Sequence, residues 1–136
     1  PYASLDPRMK IGDILAEPLL CHCHDLSPAE RSERVAGLME QVGLSPDSTK
    51  KVGEYSLGMR ERLGIAQALM EDPQLLILDE PFNGLDKRGA ADVYALLAEL
   101  KERGKTILLA AHNLANMEEL CDTVCEMDAG VLTRIK

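Results

Sequence analysis

Leu75-Leu76-Ile77-Leu78-Asp79-Glu80-Pro81 sets four apolar residues ahead of two adjacent carboxylates and a proline. Bounded by Pro73 and Pro81, so short an apolar run reads as a strand buried on both faces, the kind found in parallel sheets. Such sheets place their ligand sites just beyond the carboxyl ends of their strands, which is where Asp79 and Glu80 fall. Magnesium takes oxygen ligands and keeps several waters, so one carboxylate can hold the ion while its neighbour orients or deprotonates an attacking water. Asp79 is the candidate metal ligand and Glu80 the candidate base; the plainer alternative is an Asp-Glu-Pro turn that only ends the strand.

Outward from this run the pattern alternates. A strand over 74 to 79 is followed by a helix over 86 to 103, a strand over 105 to 111, a helix over 113 to 121, and short strands over 123 to 128 and 131 to 135. Strands alternating with helices of this length predict parallel βαβ units. Toward the N-terminus the period is helical. Ile11, Ile14, Leu15 and Leu19 share one face of a helix over 11 to 20 that Pro18 limits late. Ser27-Pro28-Ala29-Glu30 has the form of a capping box with proline at the first helical position, and Gly43 is placed to end that helix. A third helix is predicted from Ser56 to Met70. The chain divides into a helical part, 1 to 71, and an α/β part, 72 to 136.

Two further features join the carboxylates. His112 ends the strand that follows one βαβ unit later, and adjacent parallel strands bring their carboxyl ends together, so His112 is expected near Glu80, where an imidazole can contact a terminal phosphate or the attacking water. Tyr55-Ser56-Leu57-Gly58-Met59-Arg60 opens the third helix. A helix start offers unpaired N–H groups and a favourable dipole, so an anion such as a γ-phosphate can dock there; Ser56 can equally be an ordinary N-cap, and both readings stand.

A phosphate-binding loop of the form G-x-x-x-x-G-K-[ST] is absent from the sequence. Gly104-Lys105-Thr106 imitates its end, but Glu99 occupies the required first glycine position, and the tripeptide follows a helix and precedes a strand. It is expected to be a helix stop.

The composition bounds the partners. Among 136 residues, 46% are hydrophobic and 28% charged, as in an ordinary globular domain. A net charge of −8, with one Phe, three Tyr and no Trp, gives neither the basic footprint nor the aromatic platform of a nucleic-acid binder. The longest apolar stretch, Ile107 to Ala111, is far short of the roughly 18 residues of a membrane span. Four cysteines without disulfide-rich spacing and no signal peptide point to a cytoplasmic setting. An initial proline rather than methionine leads us to expect a piece of a longer product.

The order Ser56-x-Gly58, Asp79-Glu80-Pro81, Asn83-Gly84-Leu85-Asp86 and His112 resembles the ATP-binding cassette ATPases, the engines of ABC transporters, over nearly the whole chain. The resemblance implies a partial RecA-like P-loop NTPase core joined to an α-helical subdomain that docks on a membrane permease. It matches Tyr55 to Met59 with the signature motif, which places Ser56, Leu57, Gly58 and Met59 on ATP. It matches Asp79 and Glu80 with the Walker B metal ligand and catalytic glutamate, Asn83 to Asp86 with the D-loop, which adds Asp86 to the ATP-binding residues, and His112 with the switch histidine. ATP and Mg2+ are the implied cofactors. A permease and a second ABC ATPase subunit are the implied partners, with the membrane's inner face reached only through the permease.

Leu57 and Met59 stand where the family usually has glycine and glutamine, a variant similar to bacitracin and lantibiotic exporters, whereas Pro1 to Leu19 is similar to peptide importers. The family's phosphate loop and Q-loop precede the matched region, so this chain alone is expected to be inactive or nearly so. A permease-binding module without catalysis is the alternative, distinguished by a self-sealed surface; an ABC ATPase of DNA repair or translation is a third, opposed by the acidic charge.

Cys21-His22-Cys23-His24 has zinc-ligand chemistry, but strict alternation without a second ligand pair suits a tetrahedral site poorly, and a solvated loop is expected. Cys121 and Cys125 read as one small buried thiol and its neighbour. Glu99 to Arg103 reads as a solvated helix face.

Overall fold

A computed structural model describes residues 5–112 and 117–136. Three helices come first, α1 (Ile11–His22), α2 (Pro28–Gln41) and α3 (Leu57–Leu69), followed by β1 (Leu75–Asp79), α4 (Lys87–Glu102), β2 (Thr106–Ala110), α5 (Met117–Leu120), β3 (Cys125–Asp128) and β4 (Val131–Arg134). The elements fall where hydrophobic spacing and capping residues predict them, save that of the helix expected over 113 to 121 only Met117–Leu120 is seen, positions 113 to 116 lying outside the described residues. Ser27 Oγ accepts from the Glu30 amide at 3.3 Å while the Glu30 carboxylate accepts from the Ser27 amide at 2.8 Å, with Pro28 opening α2. Gly43, just past α2, has φ of 70°, the left-handed conformation that glycine adopts without penalty. Helix α1 runs four residues beyond Pro18, carrying Cys21 and His22 within its last turn rather than in a loop.

The three N-terminal helices pack on one another, and α4 packs on β2. One buried cluster joins both parts of the chain, from Ile11, Leu15 and Leu19 through Met39, Leu63 and Met70 to Leu76, Leu97 and Leu100. β1 and β2 are parallel and in register from Leu75↔Thr106 to Asp79↔Ala110, the pairing expected of one βαβ unit. β3 and β4 form an antiparallel hairpin whose two-residue turn, Ala129-Gly130, has positive φ at both positions, as the strand twist requires.

β1 departs from expectation on one side. Leu76 and Leu78 are buried, but Leu75 and Ile77 are 53% and 67% exposed, and Leu108 on β2 is 59% exposed. Helices cover one face of the two-stranded sheet, and nothing among the described residues covers the other, so the strand alternates instead of being buried on both faces. The outer edge of β2 borders a cleft of about 1050 Å³ whose far wall is the hairpin, through Cys125, Met127 and Leu132.

Gly104, φ 82°, donates to the Lys101 carbonyl and ends α4, so Gly104-Lys105-Thr106 is the helix stop the sequence predicts. Lys105 Nζ, nearly buried, contacts the Asp72 carboxylate at 2.8 Å and its carbonyl at 3.1 Å, tying the α3–β1 turn to the start of β2. The hydrogen bond from Lys105 holds the Asp72 carboxyl below the ordinary aspartate range. A carboxyl lowered in the folded state contributes stability above its unfolded pKa and loses it as pH falls through the folded one. Because Asp72 is largely exposed, solvent limits the pair to about 0.5 kcal/mol. Asp72→Asn should therefore lower stability by that small amount at pH 7, and the difference from wild type should fade as pH falls through the ordinary aspartate range and below it, as read by urea denaturation across pH.

Candidate nucleotide site

In-register pairing of β1 with β2 brings the two strand ends level. The Glu80 amide donates to the Ala110 carbonyl at 2.8 Å, extending the ladder one step past β1, and two residues later β2's chain reaches His112. There His112 Nδ1 lies 2.7 Å from Glu80 Oε1. The imidazole is 79% exposed and the glutamate side chain 35%, so the pair opens to solvent at the carboxyl edge of the sheet. Asp79, also exposed, precedes it at the end of β1.

Glu80 has φ of 50°. A glutamate in the left-handed region is uncommon and costs on the order of 1 kcal/mol, a strain that clusters at functional sites. Its physical source is local: the backbone must leave the strand at once, with the Asn83 amide closing back on the Glu80 carbonyl at 3.0 Å and Leu85 on Phe82 at 3.4 Å. The turn ends at Asp86, whose Oδ1 accepts from the Gly89 amide at 2.8 Å and caps α4.

The first turn of α3 is the other half of the constellation. Ser56 Oγ accepts from the Met59 amide at 3.3 Å, so the N-cap role is the one the geometry displays. Ser56 and Leu57 are exposed and Gly58 and Met59 half-buried. The turn abuts the Glu80–Asp86 loop, because a Cβ placed on Gly58 would sit 3.1 Å from Leu85 Cδ2 and 3.3 Å from the Gly84 carbonyl. Arg60, half-buried in the same turn, has an Nε atom with no hydrogen-bond partner among the described residues.

All eight sequence-predicted residues are thus placed. Glu80 and His112 touch; Ser56, Leu57, Gly58 and Met59 form one helix start; Asp86 is committed to capping α4. No group of three or more His, Cys, Asp or Glu able to enclose a metal occurs among the described residues, Cys21 to His24 included. A lone exposed carboxylate such as Asp79 fits a magnesium ion held mainly by water and phosphate oxygens, and not a metal caged by protein. All four cysteines are free, and burial raises the Cys121 thiol.

Sequence reasoning missed Arg62. Its guanidinium reaches the Val42 and Gly43 carbonyls at 3.4 and 3.3 Å and Asp92 at 3.5 Å, so α3 is tied to the end of α2 and to α4. The available signal was the pair Gly43 and Gly89: a Cβ on either would strike that guanidinium, at 2.5 and 2.7 Å.

Glu80→Gly should raise stability by about 0.5 kcal/mol or more, because glycine occupies φ of 50° without the side-chain penalty, even as it deletes the contact with His112. The denaturant midpoint checks this; a loss of stability would mean that the pair outweighs the strain.

The family model described as ABC transporter matches residues 2–83. Oligopeptide transport ATP-binding protein OppF of Bacillus subtilis (strain 168) is 42% identical over 137 residues, covering 99% of this chain and 45% of that protein. OppF of Haemophilus influenzae is 43% identical over 132 residues, 96% of this chain and 40% of that protein. Di/tripeptide transport ATP-binding protein DppF of Pseudomonas aeruginosa is 42% identical over 132 residues, 96% and 41%. The chain therefore spans less than half the length of these relatives. Each alignment covers nearly the whole of this chain, the importer-like and exporter-like stretches alike. In fold, the solved dimer of the ATP-binding cassette MJ0796 with ADP and Pi superimposes with a TM-score of 0.86 at 23% identity, over 98% of this chain and 60% of that one. With the model matching more than half of its residues, this chain belongs to the ABC transporter family.

Proposed function

We propose that this chain forms the metal-binding, catalytic and signature-bearing portion of the ATP-binding subunit of a peptide ABC transporter, working with a phosphate-binding loop supplied from outside residues 1–136. The observation that carries the reading is the 2.7 Å approach of His112 Nδ1 to Glu80 Oε1 at the carboxyl end of two in-register parallel strands. Its sequence likeness to OppF and DppF supports peptides as the cargo.

In this reading Asp79 would hold a magnesium ion, which supplies charge neutralisation at the phosphates. Glu80 takes a proton from the attacking water at its free oxygen, Oε2, while Oε1 is held by His112. Strand-borne backbone fixes both groups, so little rearrangement is needed when the water arrives. His112, held beside Glu80 through Nδ1, would lie next to the terminal phosphate. The amides of Leu57 and Gly58 at the α3 start face the γ-phosphate of a second subunit's ATP, Ser56 and Met59 hold that turn in shape through their N-cap hydrogen bond, and Arg60 adds positive charge nearby. Asp86 holds the loop between the two sites by capping α4. The helical part, 1 to 71, docks on a permease, so the chain works in the cytoplasm at the inner face of the membrane; among the described residues no helix is long and apolar enough to cross it. The bare sheet face at Leu75, Ile77 and Leu108 supports this reading over a self-sealed binding module.

Calorimetry of the chain with MgATP, with Glu80→Gln alongside to suppress turnover, should show no binding at millimolar nucleotide. Adding the part of OppF that this chain does not match should bring ATP hydrolysis, and Glu80→Gln should then lower it by about 10²-fold or more. Micromolar binding by the chain alone, or hydrolysis that survives Glu80→Gln, would overturn the proposal.

A further inference from the structure

Leu57 is 43% exposed in the first turn of α3, where burial in the core does not account for a large apolar residue. Its side chain lies against Gly84: a Cβ on that glycine would meet Leu57 Cγ at 2.8 Å and Cβ at 3.6 Å. Gly84 also has φ of 70°, so both its conformation and its missing side chain are required where Leu57 sits. The contact is reciprocal, because Leu85 from the same loop leans on Gly58, the next residue of α3. Leu85 in turn packs against the buried cluster. Two leucines and two glycines thus interlock across the gap between helix and loop.

We propose that Leu57 is a positioning residue: seated on Gly84, it locks the loop from Glu80 to Asp86 to the first turn of α3, so that a displacement of either is transmitted to the other. An anion docking at the start of α3 is then felt at the Glu80–His112 pair without touching it. What docks at each end rests on the function proposed above; the lock does not. The resemblance offers no template for it, since the family usually has glycine where Leu57 stands, and a glycine there has no side chain to reach Gly84.

Amide hydrogen exchange followed by NMR on the nucleotide-free chain tests this directly, because the Asn83 and Leu85 amides report the closed loop. Leu57→Ala, which keeps a strong helix former in α3, should speed exchange at both amides by about tenfold while amides of α2 stay unchanged. Leu57→Met, close in volume, should restore protection to within about twofold. Gly84→Ala should be strongly destabilising alone and less so beside Leu57→Ala than the two single effects sum to, since the struck side chain is then gone. Unchanged exchange at Asn83 and Leu85, strict additivity of the pair, or a uniform acceleration over the whole chain would each overturn the lock. No arm involves nucleotide, so such a failure leaves the proposed function standing, and failure of ATP turnover leaves the exchange result standing.

Discussion

The parallel pairing of β1 with β2 in a single register is the constraint on which the site depends. Side chains alternate with a period of two, so a slip by one residue would turn Leu76 and Leu78 out of the core and carry Ala110 away from Asp79. Burial on the helix-covered face thus fixes the register, and the register fixes the height at which Glu80 and His112 meet. Lys105 reinforces the lower end of the pair by binding the turn before β1. Four residues of hydrophobic pattern therefore determine an interatomic distance at the far end of the sheet.

The loop after β1 is strained for a reason that the same geometry supplies. The chain must stop being a strand immediately after Asp79, because α4 begins only seven residues after Glu80 and must return over the covered face. Glu80 absorbs that reversal at φ of 50°, Gly84 absorbs the next bend at 70°, and Asp86 starts α4 with a side-chain cap. A loop built this way has few alternatives open to it. That rigidity suits the role proposed for Glu80, whose carboxylate would have to meet a proton at a defined point.

The secondary structure was legible because its signals are local. Ser27, Pro28 and Glu30 announce α2 within four residues, Gly104 stops α4, and the alternation of strand with helix after residue 74 implies the parallel pair; the Glu80–His112 contact is a consequence of topology alone. Burial was not legible in the same way. Leu75 and Ile77 read as core residues in the sequence, yet whether an apolar residue is covered depends on what packs over it, which no local pattern encodes. Nor could the sequence choose between cap and anion site at Ser56, since both chemistries use the same hydroxyl and the same amides. Arg62 stayed hidden for a related reason: its partners are two backbone carbonyls and one aspartate on other helices, and a lone arginine in a helix reads as a solvated charge.

Arg62 and Leu57 together show how α3 binds the two parts of the chain. They lie five positions apart on one helix, and each projects into space left open by glycine, Leu57 at Gly84, Arg62 at Gly43 and Gly89. Gly43 terminates α2, Gly84 sits in the loop after Glu80, and Gly89 lies in the first turn of α4. α3 therefore touches the end of one helix, the loop after Glu80 and the start of another through positions where glycine leaves its side chains room. Hydrophobic burial holds α3 in the core through Leu63, Ala66 and Leu69, but burial is non-directional and would tolerate small rotations of the helix. Steric seats on glycine and the directed hydrogen bonds of a guanidinium do not. The orientation of the helix start that faces solvent is thus set by three contacts made at opposite sides of the helix, and the apolar core has only to keep it in place.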